Sequence, residues 1–436
     1  MNSSIYNKYN VLIFILFMLY YKKVEIYYGF NIMTNFNEYF LMEEKDVLLY
    51  VKNKLKYFSQ NDNITCKEIG DGNINYVYRI SNGKDSIILK QAGVHTRSNS
   101  SGRILDINRN AREAEVLSFY GNILPDLAPK IISIDRVMNL FVMEDLKSFL
   151  VLRDALMKGQ IYHHLQEQIT DFLVETTLST ADFFMDPFTK KENVVKYTNK
   201  ELCKISEELV FREPFFNVLK ENVFSESLNK FVEDNLYNNK QLQLEAAKLK
   251  YEFMNNPQAL IHGDLHTGSI FVDENYIKVM DCEFAFYGPI GYDLGTIMAN
   301  FIFSYVYHFY VTKDRNYTSF LFKVIDDILR LFKNKFITKF LHESNDISVQ
   351  NDYFIEYYLL EVLKTGFGIC GLELLRRTTG CARVKEIESV ADDDMRSKIE
   401  YTLLNIGIEC LSYRDRLSEE EKFMKFIDNI IENIDL

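Results

Sequence analysis

Residues 261–269 read IHGDLHTGS and residues 279–283 read VMDCE, and this pair of stretches limits the fold more than any other feature of the chain. The residues between them read as a short β-hairpin. A His-Gly-Asp turn and an Asp-x-Glu pair are thereby set on loops either side of one hairpin, a spacing that suits two loops facing a single cleft.

On both sides of this hairpin the hydrophobic period sorts the chain into two parts. Residues 43–57 carry Val47, Leu48, Val51 and Leu55 at helical spacing. Residues 65–69 then read as a strand, 70–73 (GDGN) as a turn and 76–80 as a second strand, and Asn82-Gly83 is a hairpin signal leading into 86–91. Helical spacing returns over 109–120, and strands over 131–135 and 140–143 complete an antiparallel sheet. Beyond Asp145 helices are expected over 160–185, 241–255, 294–311, 318–333, 353–375 and 396–412, broken by the hairpin around 270–280. The expectation is an α+β, bilobal architecture: a small antiparallel β-rich lobe over 33–145, a connector near Met143, Glu144, Asp145 and Leu146, and a large, mainly helical lobe over 146–436. That is the element order of the protein-kinase-like fold.

A chain of 436 residues is long for one core, in keeping with two lobes. Its formal charge of −12 argues against nucleic acid or an anionic membrane as the main partner, because both demand a basic surface. ATP needs only a local positive pocket. Cys66, Cys203, Cys282, Cys370, Cys381 and Cys410 show no C-x-x-C spacing, which argues against a zinc site or disulfide framework and fits a reducing cytoplasm. The apolar run at 11–21 (VLIFILFMLYY) is shorter than the roughly 20 residues that span a bilayer, and it lacks the basic start and cleavage site of a secretory signal. Met33 reads as a natural beginning, so residues 1–32 are expected to be an upstream extension outside the fold.

The candidate site residues divide by chemistry. Asp264 in the His-Gly-Asp turn is the candidate general base, accepting a hydroxyl proton and orienting the oxygen for attack. His262 is expected to organise the loop. Asp281 and Glu283 offer the hard oxygens that a magnesium ion on a polyphosphate takes. Together they suit phosphoryl transfer from ATP to an alcohol. Gly70, Gly72, Asn73 and Asn75 form a turn between strands where backbone N–H groups can approach phosphate, with Asn75 in the place of the third glycine of G-x-G-x-x-G. A hairpin turn of these residues also needs no ligand to explain it. Lys90 ends an apolar strand and is the candidate phosphate-neutralising ammonium, paired with Glu113 or Glu115 on the next helix; Glu115 is preferred. Asp293 opens an apolar helix as its N-cap, and a buried acid there can also hold the N–H groups of the Asp264 loop. Arg376 and Arg377 follow the segment 372–375, where they either favour a helix end or bind substrate oxygens as planar donors.

These residues resemble one family in particular. EIGDGNIN at 68–75, ILKQA at 88–92, HGDLHTGSIF at 262–271, DCEFAFYGPIG at 281–291 and ELLRRTTG at 373–380 are together similar to the 5-methylthioribose kinases, within the aminoglycoside phosphotransferase-like superfamily, and the likeness runs from Met33 onward. It implies Mg-ATP-dependent phosphorylation of the anomeric 1-hydroxyl of methylthioribose in methionine salvage, by a cytoplasmic homodimer. Carried over to this chain, it implies Asp264 as base and substrate contact, Arg376 and Arg377 on the sugar, and Asp281 and Glu283 on magnesium. ATP would meet Asn75, Lys90, the 281–283 loop and, at the adenine, Met143, Glu144 and Asp145. Ser269 stands where related kinases carry a metal-binding asparagine, as in this family. Cys282 stands where the family usually has proline, which removes a fixed φ from the metal loop. Two other readings compete: a kinase for choline, homoserine or an aminoglycoside, and a pseudokinase that binds nucleotide without turnover. The arginine pair opposes the cationic acceptors, and Asp264, Asp281, Glu283 and Lys90 together oppose the pseudokinase.

Overall fold

The computed structural model describes residues 35–69, 75–93, 105–418 and 423–435. The 1–32 extension and Gly70, Gly72 and Asn73 of the glycine turn lie outside them.

Strands β1 (Thr65–Glu68), β2 (Asn75–Ser81), β3 (Ser86–Ala92), β4 (Ile131–Asp135) and β5 (Leu140–Glu144) form an antiparallel sheet in the order β1-β2-β3-β5-β4. The β2–β3 hairpin turns at Asn82-Gly83, where Gly83 takes φ +88° and the Asn82 side-chain oxygen accepts from the Lys84 and Asp85 amides at 3.0 and 2.7 Å. Alternation decides which face each residue serves. Ile87, Leu89, Leu140 and Val142 pack with Val47 and Tyr50 of helix α1 (Glu44–Tyr50). Ile88, Phe141 and Met143 join the core to which helix α2 (Arg109–Ile123) contributes Ala114 and Leu117. Lys90 shares the Ile88 face, which directs its ammonium at α2.

The rest is mainly helical, as expected of an α+β chain of this pattern. The predicted hairpin is present as β8 (Ile270–Val272) and β9 (Ile277–Val279), flanked by β6 (Leu150–Val151). A further pair, β7 (Ala259–Ile261) with β10 (Phe286–Gly288), was not legible from the pattern. It ties together the entry to the Asp264 turn and the exit from the Glu283 turn.

Among the helices used below are α3 (Leu165–Leu178), α4 (Lys200–Leu209), α5 (Gly291–Tyr307), α6 (Arg315–Glu343), α7 (Asp352–Thr379) and α8 (Asp393–Ser412). Several depart from expectation. The 160–185 helix is only α3; the hydroxyls of Thr176 and Thr177 bond back to the Phe172 and Leu173 carbonyls near its end, and Asp186-Pro187 starts a separate helix with Asp186 accepting from the Thr189 amide. α6 runs well past residue 333, capped by Asp314, whose carboxylate accepts from the Asn316 and Tyr317 amides. α7 continues through Arg376 and Arg377 to Thr379, so the two arginines lie in the last turn of a helix rather than after it.

α5 is buried on nearly all sides and crosses α7 at glycines. A Cβ on Gly291 would lie 2.3 Å from the Val362 carbonyl oxygen, and one on Gly295 would lie 2.3 Å from that of Gly366. Only hydrogen fits between the two backbones. No helix among the described residues is long and apolar enough to cross a membrane. Gly295→Ala is expected to destabilise the protein by about 2 kcal/mol, read as a lowered urea midpoint, because the methyl meets backbone that cannot move aside. An unchanged midpoint would show that the crossing has slack.

Candidate active site

The turn after β7 is held from beneath. Asp293, in the first turn of α5 and 2% exposed, accepts from the backbone N–H groups of His262 (2.6 Å) and Gly263 (2.9 Å). Asp293 is therefore the loop anchor, and the N-cap position expected for it is taken by Ile290. Gly263 has φ +80°, and a Cβ there would lie 2.5 Å from the Phe284 carbonyl oxygen, so glycine is required twice over. His262 Nε2 donates to the Met280 carbonyl at 2.9 Å, and its Nδ1 accepts from the Asp264 amide at 3.3 Å. A carbonyl only accepts, so Nε2 carries the proton. This histidine stitches the Asp264 turn to the strand leading to Asp281.

Asp264 points into a cleft of about 580 Å³ between the sheet and the helical part. Arg376 and Arg377 each bring a guanidinium nitrogen to 3.5 Å from its Oδ1, and His266 Nε2 stands 3.4 Å from Oδ2. Burial pushes the Asp264 pKa up, but His266, Arg377 and Arg376 outweigh it and hold the carboxyl well below the usual range. Both arginines are gripped by Glu373, one turn earlier on α7. Arg377 Nε donates to it at 2.9 Å, and Arg376 Nε donates to its other oxygen. The 372–375 segment gave no separate notice of Glu373, although its spacing of three and four residues from the arginines is the one that places helix side chains together.

Asp281 and Glu283 line the same cleft, on the loop after β9. Asp281 adopts φ +61°, a left-handed conformation that is strained for a residue with a side chain. Lys90 Nζ lies 2.7 Å from Glu113 Oε1 and 2.6 Å from Asp281 Oδ1. The preference for Glu115 is thus corrected: two residues further round the helix, Glu115 faces outward and pairs with Lys196 and Arg136. Burial lowers the Lys90 pKa, but Asp281, Glu113 and Glu283 more than reverse this and keep the ammonium charged. Burial pushes Glu113 up to about 7 against the pull of Lys90. Glu283 Oε2 accepts from Asn75 Nδ2 at 3.0 Å, a bond across the cleft. The Cys282 side chain turns inward, buried, its thiol donating to the Glu113 carbonyl at 3.6 Å. Met143, Glu144 and Asp145 line the cleft where β5 leaves the sheet, and the Asp145 carboxylate is occupied by Arg79 at 2.8 Å.

Among the described residues there is no group of three or more His, Cys, Asp or Glu side chains that could hold a metal by itself. Two carboxylates beside an open cleft fit magnesium, which keeps several ligand positions for water and phosphate. They do not make a cage for zinc. Ile205 and Leu209 of α4, a helix not expected from the pattern, supply an apolar wall to the same cleft.

Residues 224–323 match the phosphotransferase enzyme family. Over 385 residues the chain is 32% identical to a methylthioribose kinase of Bacillus cereus (strain G9842), covering 88% of this chain and 96% of that protein. A methylthioribose kinase of Geobacillus sp. (strain WCH70) is 34% identical over 384 residues, covering 88% of this chain and 94% of the relative. Among solved structures, a choline kinase from Cryptosporidium parvum Iowa II aligns over 89% of this chain and 97% of its own, at 14% identity and a TM-score of 0.42.

Removing the loop anchor has a predictable cost. Asp293→Ala leaves two enclosed N–H groups without an acceptor and is expected to destabilise the protein by about 2 kcal/mol or more. Chemical denaturation measures this, and a loss below about 0.5 kcal/mol would mean that water replaces the carboxylate freely.

Proposed function

Since the chain belongs to the methylthioribose kinase family, we propose that it transfers the γ-phosphoryl group of ATP to the anomeric 1-hydroxyl of 5-methylthioribose, giving the 1-phosphate used in methionine salvage. That it is a small-molecule kinase follows from the family itself. The observation that carries the finer reading is Asp264, flanked by Arg376 and Arg377 and sharing one cleft with Lys90, Asp281 and Glu283. Residues 33–145 are the ATP-binding lobe and 146–436 the catalytic and substrate-binding lobe. The working protein is a cytoplasmic homodimer.

In this reading Asp264 is the catalytic residue. It accepts a hydrogen bond from the acceptor hydroxyl, fixes which lone pair faces the phosphorus, and takes the proton as the new P–O bond forms. A carboxylate held below its usual pKa is a weak base. That suffices where the transition state is loose and the proton leaves late, and an anomeric hydroxyl is more acidic than an ordinary alcohol. Arg376 and Arg377, kept rigid by Glu373, hold sugar oxygens with planar donors. A cationic acceptor such as choline or an aminoglycoside would meet two guanidiniums there. The apolar wall of Ile205 and Leu209 suits a thioether. Lys90 neutralises nucleotide phosphate oxygens, Asn75 donates to them, and Met143, Glu144 and Asp145 receive the adenine. Asp281 and Glu283 would hold magnesium, which when bound neutralises charge on the phosphates.

Purified protein with Mg-ATP and methylthioribose, choline, homoserine or an aminoglycoside tests the reading by ADP release. Turnover is expected with methylthioribose alone, and preference for another acceptor would overturn the substrate assignment. Asp264→Asn should lower kcat by about 10²- to 10⁴-fold while ATP affinity holds; equal loss of both would make Asp264 structural. Arg377→Ala should raise KM for the sugar by about tenfold and leave that for ATP nearly unchanged. Because Asp264 ionises below the usual range, its deprotonated, active form persists as pH falls. The kcat/KM profile for the sugar should therefore show no loss attributable to this group down to about pH 4, and a limb removed by Asp264→Asn at higher pH would contradict the assignment.

A further inference from the structure

One buried cation behind the cleft wall has no part in the chemistry above. Arg109, the first residue of α2, is 1% exposed. Its Nη1 donates to the backbone carbonyls of Gly93 (3.1 Å) and Asp106 (3.2 Å), and its Nη2 donates to Asn75 Oδ1 at 2.9 Å. Its Nε lies 3.9 Å from Glu283 Oε2, the atom that accepts from Asn75 Nδ2 at 3.0 Å. We propose that Arg109 is a positioning residue for the nucleotide phosphates, orienting the Asn75 amide so that its N–H edge serves the cleft and fastening the sheet to the Glu283 loop. The inference rests on the kinase reading and adds to it the group that makes Asn75 a donor.

The reasoning is one of hydrogen-bond polarity. An asparagine amide has an accepting and a donating edge of nearly the same shape, so its direction is set by its neighbours. A guanidinium can only donate, and an ionised carboxylate can only accept. Set between Arg109 and Glu283, the amide has one consistent orientation: oxygen to the arginine, nitrogen to the glutamate. Nδ2 carries two protons, and one of them goes to Glu283. Asn75 lines the cleft, so the second proton is left for an anion there. Asn75 also stands where a third glycine would otherwise let backbone approach phosphate, and a correctly turned amide supplies the donor that this substitution removes. Without Arg109 only Glu283 orients the amide, and its oxygen loses the donor that holds it away from the cleft.

The same helix face explains why the guanidinium can be rigid. One turn on from Arg109, Glu113 holds Lys90, and Asn110 Nδ2 donates to the Lys90 backbone carbonyl at 2.8 Å. α2 therefore presents both phosphate-facing side chains, Lys90 and Asn75, from one rigid support. The pins on Gly93 and Asp106 keep Arg109 from swinging into the cleft, which is why it acts through Asn75 and not by contact.

The test measures Mg-ATP affinity by calorimetry in the absence of sugar, with steady-state constants for both substrates, on Arg109→Lys, Asn75→Ala and their combination. Arg109→Lys keeps the charge but loses the fork that reaches three acceptors. Each single change is expected to weaken ATP binding by about tenfold, with the sugar KM within about twofold of wild type. The combined variant should be no worse than the weaker-binding single, because the two residues supply one interaction. Multiplying losses, unchanged ATP affinity in Arg109→Lys, or an equal rise in the sugar KM would each overturn the proposal. Should Arg109→Lys not fold, Asn75→Asp decides: it keeps a partner for Arg109 while exchanging the donor for an acceptor. It should bind ATP at least about tenfold more weakly, and wild-type affinity in this variant would sink the idea. A wild-type chain that binds no ATP overturns the kinase reading as well. Normal wild-type binding and turnover with the variants failing these expectations overturns only the role of Arg109.

Discussion

The glycine-lined crossing of α5 and α7 is the constraint on which the site depends. Because Gly291 and Gly295 let the two backbones touch, the start of α5 and the end of α7 are fixed relative to each other. Asp293 at the start of α5 binds the His262 and Gly263 amides, which sets where Asp264 stands. Glu373 near the end of α7 grips Arg376 and Arg377, which sets the cations that face Asp264. Asp264 and its two guanidiniums come from segments more than a hundred residues apart, yet one helix pair positions both. A methyl group at the crossing would press on the α7 backbone and push the two helices apart, and with them the supports of Asp264 and the arginines.

The opposite wall is organised by a single helix face. Arg109, Asn110 and Glu113 on α2 hold Asn75 and Lys90 by side chain or backbone. Lys90 and Asn75 then reach Asp281 and Glu283 on the other side. Low dielectric makes these buried bonds strong and makes any broken one expensive, so the wall moves as a unit or not at all. The inward Cys282 thiol sits against the Glu113 carbonyl, where a proline would make no such bond. The left-handed Asp281 just before it shows that the loop keeps a strained turn without proline's fixed φ.

Some of this was written plainly in the residues. Alternation over 76–91 and 140–143 gave the sheet, because each of those strands has two faces with different partners. The His-Gly-Asp turn and the Asp-x-Glu pair were legible because their residues are unusual beside apolar strands. Tertiary roles were not. Asp293 is the exception in part: the string offered both an N-cap and a holder of the Asp264 loop, and the structure keeps the second. Glu113 and Glu115 were indistinguishable until the helix had a direction, since either fits an amphipathic face. Arg109 gave no signal, because a buried arginine and an exposed one look alike in a string. α7 was underread only by its last turn, 376–379, where Arg-Arg-Thr-Thr carries no apolar period to extend the helix.

The charges in the cleft bear on which ligand it accepts. Lys90 is shared by Glu113 and Asp281, Arg376 and Arg377 by Glu373 and Asp264, and Arg109 and Asn75 face Glu283. Each charged group already has a partner of opposite sign. An anion arriving alone would draw Lys90 from Asp281 and leave that carboxylate uncompensated in a partly enclosed site, at a cost of several kcal/mol. A cation arriving alone would compete with Lys90 for Asp281 and leave the ammonium short of a partner. A ligand that brings both signs together exchanges partners one for one: its anionic oxygens take Lys90 and its metal takes Asp281. On the proposed reading this exchange would favour the nucleotide as its magnesium complex and would couple metal and phosphate binding through Lys90.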